Sequence, residues 1–230
     1  KSPSTLNETG DPIAHDGSFG TTQGEYQILS IAGVNLDDGG GDEIAALNVT
    51  QNGVQRLLIF NAPTSIESET GDPIAYDTSF GTLTDDWRMI SIAGVDIDGD
   101  GIDEIAALNR MQNDNQRLLI FEAPTAEQNE TGMPIAYDTS FGSHTSDWRI
   151  ISIAGVDIDG DGIDEIAALN RMQNDQQRLL IFNAPTPTQG EVGNPIAYDT
   201  SFGSHANDWR IISIAGLDTD KDGIDEVAAM

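Results

Sequence analysis

The chain has 230 residues, no cysteine, and a formal net charge of −29 from 39 acidic and ten basic side chains. So strong a negative charge excludes nucleic acid as a partner, because the chain would repel the phosphate backbone. The lack of cysteine excludes disulfides and thiolate metal sites. No apolar run approaches the roughly 20 residues of a membrane-spanning helix, so we expect no membrane insertion.

One unit of 61 residues is repeated along the chain. The phrase that begins at Gly71 returns at Gly132 and at Gly193, and a degenerate copy begins at Gly10. A fixed period without insertions indicates a repeat architecture in which each unit packs on its neighbours. We expect a single repeat domain over residues 1–230, with units at about 10–70, 71–131 and 132–192 and an incomplete unit at 193–230.

Each unit predicts four short strands, described here in the third copy. Residues 148–156 are rich in β-branched and aromatic side chains, and an acidic turn separates them from the apolar run 166–169. A polar turn leads into 178–182, and the short segment 195–198 completes the set. Four short strands in about 60 residues is the size of a β-propeller blade. We therefore predict an all-β fold, a β-propeller-type repeat of about 3.8 four-stranded antiparallel blades; the alternative is a linear array of separate small β domains.

The two ends of the chain fall at different points of the unit. The chain opens with the fourth strand of a blade, at residues 12–15, and stops after a second strand, at Met230. We expect either a segment of a longer propeller or a missing strand that another chain supplies by edge addition. The second case suits a fibre of identical subunits joined by head-to-tail contacts.

An acidic turn follows the first strand of each unit. It reads Asp-Ile-Asp-Gly-Asp-Gly-Ile-Asp-Glu at 96–104 and at 157–165, and it recurs with small changes at 218–226. Acidic side chains at positions 1, 3 and 5 of a tight turn converge on one point, and a glycine at position 6 allows the carbonyl of position 7 to turn inward. Such carboxylates repel one another unless a cation lies among them. The mixed carboxylate, carbonyl and water set favours Ca²⁺ over Mg²⁺.

The last acidic ligand is predicted at position 9, because position 12, where an EF-hand has glutamate, is alanine in all three turns. The neighbouring position 8 is the reserve candidate, although strand alternation should aim it away from the ion. It is occupied by Asp103, Asp164 and Asp225. The predicted Ca²⁺ ligands are Asp96, Asp98, Asp100, Ile102 and Glu104; Asp157, Asp159, Asp161, Ile163 and Glu165; and Asp218, Asp220, Asp222, Ile224 and Glu226, with the isoleucines binding through their carbonyls.

The first copy of the turn has lost two charged ligands. Position 1 is the amide Asn35 and position 5 is Gly39, which leaves Asp37 and Glu43 as its remaining acidic ligands. We therefore predict a weak or empty metal site at Asn35, Asp37 and Glu43.

These residues resemble the FG-GAP repeat of integrin alpha-subunit propellers and the related VCBS repeats of secreted microbial proteins and some fungal lectins. The shared features are a Phe-Gly pair, a strand, the Asp-x-Asp-x-Asp-Gly loop and a second apolar strand. The resemblance implies calcium at positions 1, 3, 5, 7 and 9, and packing between blades for Phe80, Phe141 and Phe202. The chain departs from the family at 106–108, where Ala-Ala-Leu replaces Gly-Ala-Pro, and at position 9, where the family usually has aspartate.

Three Asn-x-Thr sequences match the N-glycosylation pattern, at Asn7, Asn48 and Asn129. Asn7 and Asn129 are two periods apart and so occupy one loop position, whereas Asn48 falls in a predicted strand. The tryptophans at 87, 148 and 209 also recur at one offset, which favours a place in the core over a sugar-stacking surface.

The sequence presents no catalytic constellation, so we expect no enzyme. We expect an extracellular or cell-surface, calcium-stabilised scaffold for cell adhesion or interaction, a glycoprotein whose loops bind a protein or glycan ligand. One alternative is a subunit of an extracellular fibril, assembled by strand or edge complementation between chains. A second alternative is an accessory domain of a carbohydrate-active enzyme.

Overall fold

The computed structural model describes residues 15–16, 27–36, 42–62, 66–67, 73–83, 86–124, 127–128, 134–143, 147–185, 194–204 and 210–230. Every regular element in these ranges is a β-strand, and none is a helix that would cross a membrane. The strands are β1 (His15–Asp16), β2 (Gln27–Val34), β3 (Glu43–Val49), β4 (Val54–Asn61), β5 (Ile66–Glu67), β6 (Ala75–Thr82), β7 (Arg88–Val95), β8 (Glu104–Arg110), β9 (Asn115–Phe121), β10 (Glu127–Gln128), β11 (Ala136–Ser143), β12 (Arg149–Val156), β13 (Glu165–Arg171), β14 (Gln176–Asn183), β15 (Ala197–Ser204), β16 (Ile214–Leu217) and β17 (Glu226–Ala229).

Four successive antiparallel sheets follow one another along the chain. The first has the antiparallel order β2-β3-β4-β6, with β10 added in parallel beside β6. The second has the order β7-β8-β9-β11 and the third β12-β13-β14-β15, while β16 and β17 form the fourth. A separate parallel pair consists of β1 and β5. The all-β class and the four-stranded antiparallel sheets are thus confirmed. No strand pairing in the described ranges joins the first sheet to the fourth.

Each four-stranded sheet is staggered against the sequence unit. Its first three strands come from one unit, and its fourth is the Phe-Gly strand that opens the next unit. Two short parallel pairings add to this interlock, because β5 pairs with β1 and β10 pairs with β6. The segment β10 follows the third strand of the second sheet and pairs with β6, the fourth strand of the first sheet.

The hydrophobic cores lie between adjacent sheets. One core joins Leu57 and Phe80 of the first sheet to Met89 and Phe121 of the second, and the Phe80 and Phe121 rings lie 5.1 Å apart. The next core repeats this arrangement with Phe141 and Phe182. Burying each such side chain stabilises the fold by about 1.5–3 kcal/mol. The phenylalanines of the Phe-Gly pairs thus pack between sheets; Phe202, beside the two-stranded fourth sheet, is only half-buried.

A buried glutamine joins each sheet to the next. The first strand of a sheet is an edge strand, so its outward backbone groups need partners from outside the sheet. Gln116 of β9 meets this need at Ile150 of β12. Its Nε2 donates to the Ile150 carbonyl at 2.7 Å, and its Oε1 accepts the Ile150 N–H at 2.9 Å. The pairs Gln55–Met89 and Gln177–Ile211 repeat this bonding.

The first strands of successive sheets also approach closely. The Ser91 hydroxyl accepts the Ile153 N–H at 3.4 Å. A Cβ atom on Gly155 would lie 2.3 Å from the Gly94 carbonyl oxygen, so only glycine fits there. The first strands therefore lie side by side, and the acidic turn that follows each of them comes next to its neighbour.

Candidate metal centre

Three acidic turns each bring three aspartate carboxylates together. We call them the second loop (96–104), the third loop (157–165) and the fourth loop (218–226), after their sheets. In each loop, positions 1, 3 and 5 each bring one carboxylate oxygen to within 4.8 Å of the other two. The clusters are Asp96, Asp98 and Asp100; Asp157, Asp159 and Asp161; and Asp218, Asp220 and Asp222. The convergence predicted from the spacing is present, and each cluster could hold a metal ion.

Hydrogen bonds to the aspartates themselves shape the loops. In the second loop, Asp96 Oδ1 accepts the Gly99 N–H at 2.7 Å and Asp96 Oδ2 accepts the Gly101 N–H at 2.7 Å. Both glycines have positive φ, 77° and 84°, which glycine adopts without steric cost. The third loop repeats these bonds through Asp157. The chain thus forms the bend through its own carboxylates, and Asp98 and Asp100 accept further backbone N–H groups within the loop.

The position-9 glutamate borders the cluster. Glu104 Oε2 accepts the Ile97 N–H at 3.3 Å. Burial raises the pKa of Glu104 to about 7, and the negative charges of Asp98, Glu122 and Asp96 add to the rise. Burial raises the pKa of Glu165 as well, with further rises from the three aspartates of its own loop. Both glutamates thus resist ionisation chiefly because they are buried, and the neighbouring carboxylates add to this effect.

The fourth loop differs at positions 2 and 4. Thr219 replaces isoleucine at position 2, and its hydroxyl donates to Glu226 Oε2 at 2.6 Å, which lowers the pKa of that glutamate. Lys221 replaces the position-4 glycine and keeps a positive φ of 65°. The fourth loop therefore has the same carboxylate cluster as the others, and it also contains one positively charged residue, Lys221.

The position-7 isoleucines connect neighbouring loops. The backbone N–H of Ile102 donates to Asp100 Oδ1 at 2.9 Å, and Ile163 and Ile224 repeat this bond in their own loops. The Ile163 side chain packs on the second loop, where a Cβ atom on Gly99 would lie 3.2 Å from its Cγ1 atom. The role of the position-7 carbonyls as ligands remains a prediction.

The position-8 aspartates have a role that the sequence reading missed. Asp103 Oδ2 accepts the Asn35 N–H at 2.9 Å, while the Asp103 N–H donates to the Asn35 carbonyl at 2.7 Å. Asp164 and Asp225 form the same reciprocal pair with position 1 of the loop before them. These carboxylates hold adjacent sheets together. A signal was present in the sequence, because Asp42 keeps position 8 in the first copy, where positions 1 and 5 have lost their charge.

Burial dominates the electrostatics of these inter-sheet pairs. It raises the pKa of Asp103 to about 6 and that of Asp164 to about 7, against the ordinary value of 3.8. A cavity of about 590 Å³ runs along the first strands of the sheets, and it is lined in part by the position-8 aspartates Asp42, Asp103, Asp164 and Asp225.

The first loop, the equivalent turn at 35–43, is described only at residues 35–36 and 42–43. Asn35 Nδ2 donates to the Gly101 carbonyl at 2.6 Å, a bond that an ionised carboxylate at this place would not form. Glu43 Oε2 accepts the Leu36 N–H at 3.3 Å, as the other position-9 glutamates do in their loops. Asp37 lies outside the described residues. The weak or empty site therefore stays a prediction.

The glycosylation candidates fall into two groups. Asn7 and Asn129 lie outside the described residues. Asn48 is fully buried in β3, where its Nδ2 donates to the Gln27 carbonyl at 3.2 Å and its Oδ1 accepts from Arg56 Nε at 2.9 Å. The folded chain therefore does not present the Asn48 amide for modification.

The tryptophans lie at the surface, not in the core. Trp87 is 39% exposed and Trp148 is 44% exposed. The guanidinium carbons of Arg117 and Arg178 lie 5.5 and 5.3 Å from their ring centroids, a cation–π arrangement that holds each ring against its own sheet. The expectation of a core position was wrong for these two residues, and Trp209 lies outside the described residues.

Comparison with known proteins leaves the family open. No protein-family model matches the sequence, and no curated protein matches it. Among solved structures, a rhamnogalacturonan lyase PL11 of Bacillus licheniformis is similar over 87% of this chain and 39% of that chain, with 16% identity and a TM-score of 0.48. The chain thus spans well under half the length of that structure.

Proposed function

We propose that this chain is a calcium-stabilised, β-propeller-type repeat module that acts outside the cell as a scaffold for adhesion or interaction. The observation that carries the proposal is the recurrence of one carboxylate cluster, with oxygens within 4.8 Å, at the same place in three successive sheets. Ionised carboxylates at such distances repel one another, and a divalent cation removes that repulsion.

Calcium fits these loops better than magnesium. The clusters are largely exposed and offer oxygen ligands only, which suits the six to eight oxygen ligands of Ca²⁺. Magnesium requires near-ideal octahedral geometry and retains its waters. Sites of this kind in extracellular modules have dissociation constants of roughly 10⁻⁴–10⁻³ M, so calcium would be bound where it is abundant.

The contacts between sheets support the propeller-type arrangement. The serine, glutamine and aspartate bonds recur between each sheet and the next, and the close glycines bring the first strands together. Sheets that repeat one contact and meet at their first strands are expected to turn about a common axis. The resemblance to FG-GAP repeats leads to the same arrangement and remains part of this proposal.

Calcium titration followed by thermal unfolding tests the proposal. An ion that binds only the folded chain raises the melting temperature as its concentration rises. We expect millimolar Ca²⁺ to raise the melting temperature well above its value in EDTA, and equal Mg²⁺ to raise it less. Identical unfolding curves in EDTA and in Ca²⁺ would reject calcium as a structural component.

The exposed tryptophans favour a glycan as the ligand of this scaffold. Trp87 and Trp148 recur one period apart and present aromatic surface to solvent. Aromatic rings held in place can stack on the apolar faces of sugars. A glycan array should therefore show binding that Trp148→Ala weakens, and Ile196→Ala, a surface change at the other end of the same sheet, should leave that binding unchanged.

A fibril subunit is the second candidate, and the burial of one repeated isoleucine favours it. Ile31 in the first sheet is 60% exposed, whereas its equivalents Ile92 and Ile153 are 2% exposed because the preceding sheet covers them. At the third sheet, Tyr198 is 68% exposed. A second copy that packed one of its own sheets on these faces would cover them. Electron microscopy and sedimentation of the chain distinguish a polymer from a monomer.

A further inference from the structure

All eight arginines lie at one end of the sheets. Within each sheet, they occur at or just before the start of the first strand, at the end of the second strand, or near the start of the third strand. These positions share one end in antiparallel sheets, and the acidic loops lie at the other end. The arginines are Arg56, Arg88, Arg110, Arg117, Arg149, Arg171, Arg178 and Arg210. A chain with 39 acidic residues thus keeps one end rich in positive charge.

Four of these arginines form a row across the second and third sheets, which we call the arginine row. Arg88 pairs directly opposite Arg110 across β7 and β8, and Arg149 pairs directly opposite Arg171 across β12 and β13. Arg149 also feels the charge of Arg110 from the preceding sheet. Like charges directly opposite each other destabilise a sheet, so the row needs a counter-charge.

Among the described residues, no carboxylate compensates the charge of Arg149. Arg110 forms an ion pair with Asp114, and Arg171 forms one with Asp175 at 2.6 Å. Burial lowers the pKa of Arg149, and Arg171 and Arg110 lower it further, while no acidic group in the described ranges opposes them. The Nε atom of Arg149 is buried without a hydrogen-bond partner among the described residues, as is that of Arg88.

Asp86 and Asp147, which the structure also describes at this end, are engaged elsewhere. Asp86 Oδ1 accepts the Gln112 N–H, and Asp147 Oδ1 accepts the Gln173 N–H, both at 2.8 Å. The carbonyls of the same two aspartates accept from Arg117 and Arg178, the arginines that stack on the tryptophans.

We propose that the arginine row, centred on Arg149 between Arg110 and Arg171, binds an oxyanion, the carboxylate or sulfate group of an acidic ligand. Guanidinium groups present their donors in a planar fork that matches two oxygens of such a group. The acidic loops do not prevent this, because eight-residue strands at about 3.3 Å per residue separate the two ends by about 25 Å, several Debye lengths at physiological salt. The proposal does not depend on calcium binding.

The repeat supplies an internal control. The residue one period before Arg110 is Val49, so Arg88 lacks the preceding-sheet arginine that Arg110 provides for Arg149. Arg149 has arginines on both sides. The site at Arg149 should therefore bind an oxyanion more tightly than the end of the row at Arg88.

Nitrogen-15 spectra of the arginine Nε–H groups in the full chain test the proposal. Sodium sulfate and sodium acetate are titrated separately, with sodium chloride adjusted to hold the ionic strength constant. We expect saturable shifts at Arg149 and Arg171, smaller shifts at Arg88 and none at Arg56. A preference for sulfate or for acetate identifies which oxyanion the row suits.

Two substitutions locate the site. Arg110→Val, which copies the first repeat, should weaken binding about tenfold or more, the effect of losing one charge-assisted hydrogen bond. Arg56→Gln removes one positive charge at the same end outside the row and should change the affinity less than about twofold. Arg110→Lys keeps the positive charge but lacks the planar fork of donors. Its affinity for the oxyanion should lie between the affinities of the other two variants.

Two outcomes would overturn the proposal. Shifts in the unmodified chain that grow linearly with salt and are alike at all arginines would indicate general screening only. Equal weakening by Arg56→Gln and Arg110→Val would show that net charge, not the row, attracts the anion. The unmodified chain decides the first point even if a variant fails to fold.

Discussion

Asp164 and Asp96 form a reciprocal pair across two sheets: Asp164 Oδ2 accepts the Asp96 N–H at 3.1 Å, and the Asp164 N–H donates to the Asp96 carbonyl at 2.7 Å. Asp96 is position 1 of the second loop, and Asp164 precedes the position-9 glutamate of the third loop. The bonds that join the sheets thus use the backbone of one candidate metal loop and a side chain from the next. A cation in either loop would stabilise the same inter-sheet contact.

Removing this carboxylate should weaken the contact more than neutralising it. Asp164→Ala leaves the Asp96 N–H without its acceptor and should lower the free energy of unfolding by about 1–3 kcal/mol. Asp164→Asn keeps an acceptor oxygen in a site that already favours the neutral acid, so it should cost less. Urea unfolding at pH 7 in EDTA measures both. Equal losses for the two variants would contradict this account of the site.

The stability of the metal-free chain should fall as the pH rises. The folded chain holds Asp103 at a pKa of about 6 and Asp164 and Glu104 at about 7, above the ordinary values of 3.8 for aspartate and 4.5 for glutamate. Between about pH 4 and pH 7 the folded chain therefore binds more protons than the unfolded chain, and the free energy of unfolding decreases with pH.

Melting temperatures in EDTA at pH 4.5, 6.0 and 7.5 measure this trend. We expect the highest value at pH 4.5 and the lowest at pH 7.5, with a shallower decline in Asp164→Asn, which has one titrating group fewer. Calcium should flatten the decline, because it stabilises the ionised loops. A melting temperature that rises over this interval would contradict the sign.

The features that the sequence predicted correctly are local. The convergence of Asp96, Asp98 and Asp100 follows from turn geometry within nine residues, and the strands follow from apolar runs bounded by turn residues. The 61-residue period then copies each local result. For these reasons the all-β class, the four-stranded sheets and the carboxylate clusters were all accessible without a structure.

The features that the sequence reading missed depend on neighbours far along the chain. Gln116 bonds a residue 34 positions away and Asp164 bonds one 68 positions away, and no local pattern marks either partner. Trp148 lies at the surface with Arg178 from another strand over one face of its ring. The period showed that these side chains recur, but the contact between sheets was needed to say what each one does.

The buried glutamines should be essential to the contact between sheets. Gln116→Leu leaves the N–H and carbonyl of Ile150 buried without partners, which should cost at least about 2 kcal/mol of unfolding free energy. Gln177→Leu is the matched control, because its partner Ile211 is only half-buried and water can replace the lost bonds. Denaturant unfolding compares the two variants. If Gln177→Leu lost more unfolding free energy than Gln116→Leu, burial of the bonded backbone groups would not be what makes these glutamines essential.

The loops should differ in their contribution to calcium binding. Asp157→Ala removes position 1 of the third loop, whose carboxylates are clustered, whereas Asp37→Ala removes an acid from the first loop, which has already lost two ligands. One site filled to ten times its dissociation constant stabilises the folded chain by about 1.4 kcal/mol. We therefore expect Asp157→Ala to reduce the calcium-dependent rise in melting temperature by about the amount that one bound ion contributes.

The quantity to compare is the difference between the melting temperatures in calcium and in EDTA for each variant. This difference separates loss of the ion from loss of the hydrogen bonds that Asp157 accepts from Gly160 and Gly162, since those bonds are missing in both conditions. Asp37→Ala should leave the difference close to that of the unmodified chain. Equal reductions in the two variants would mean that the first loop binds calcium as well as the third, and the argument from its missing ligands would fail.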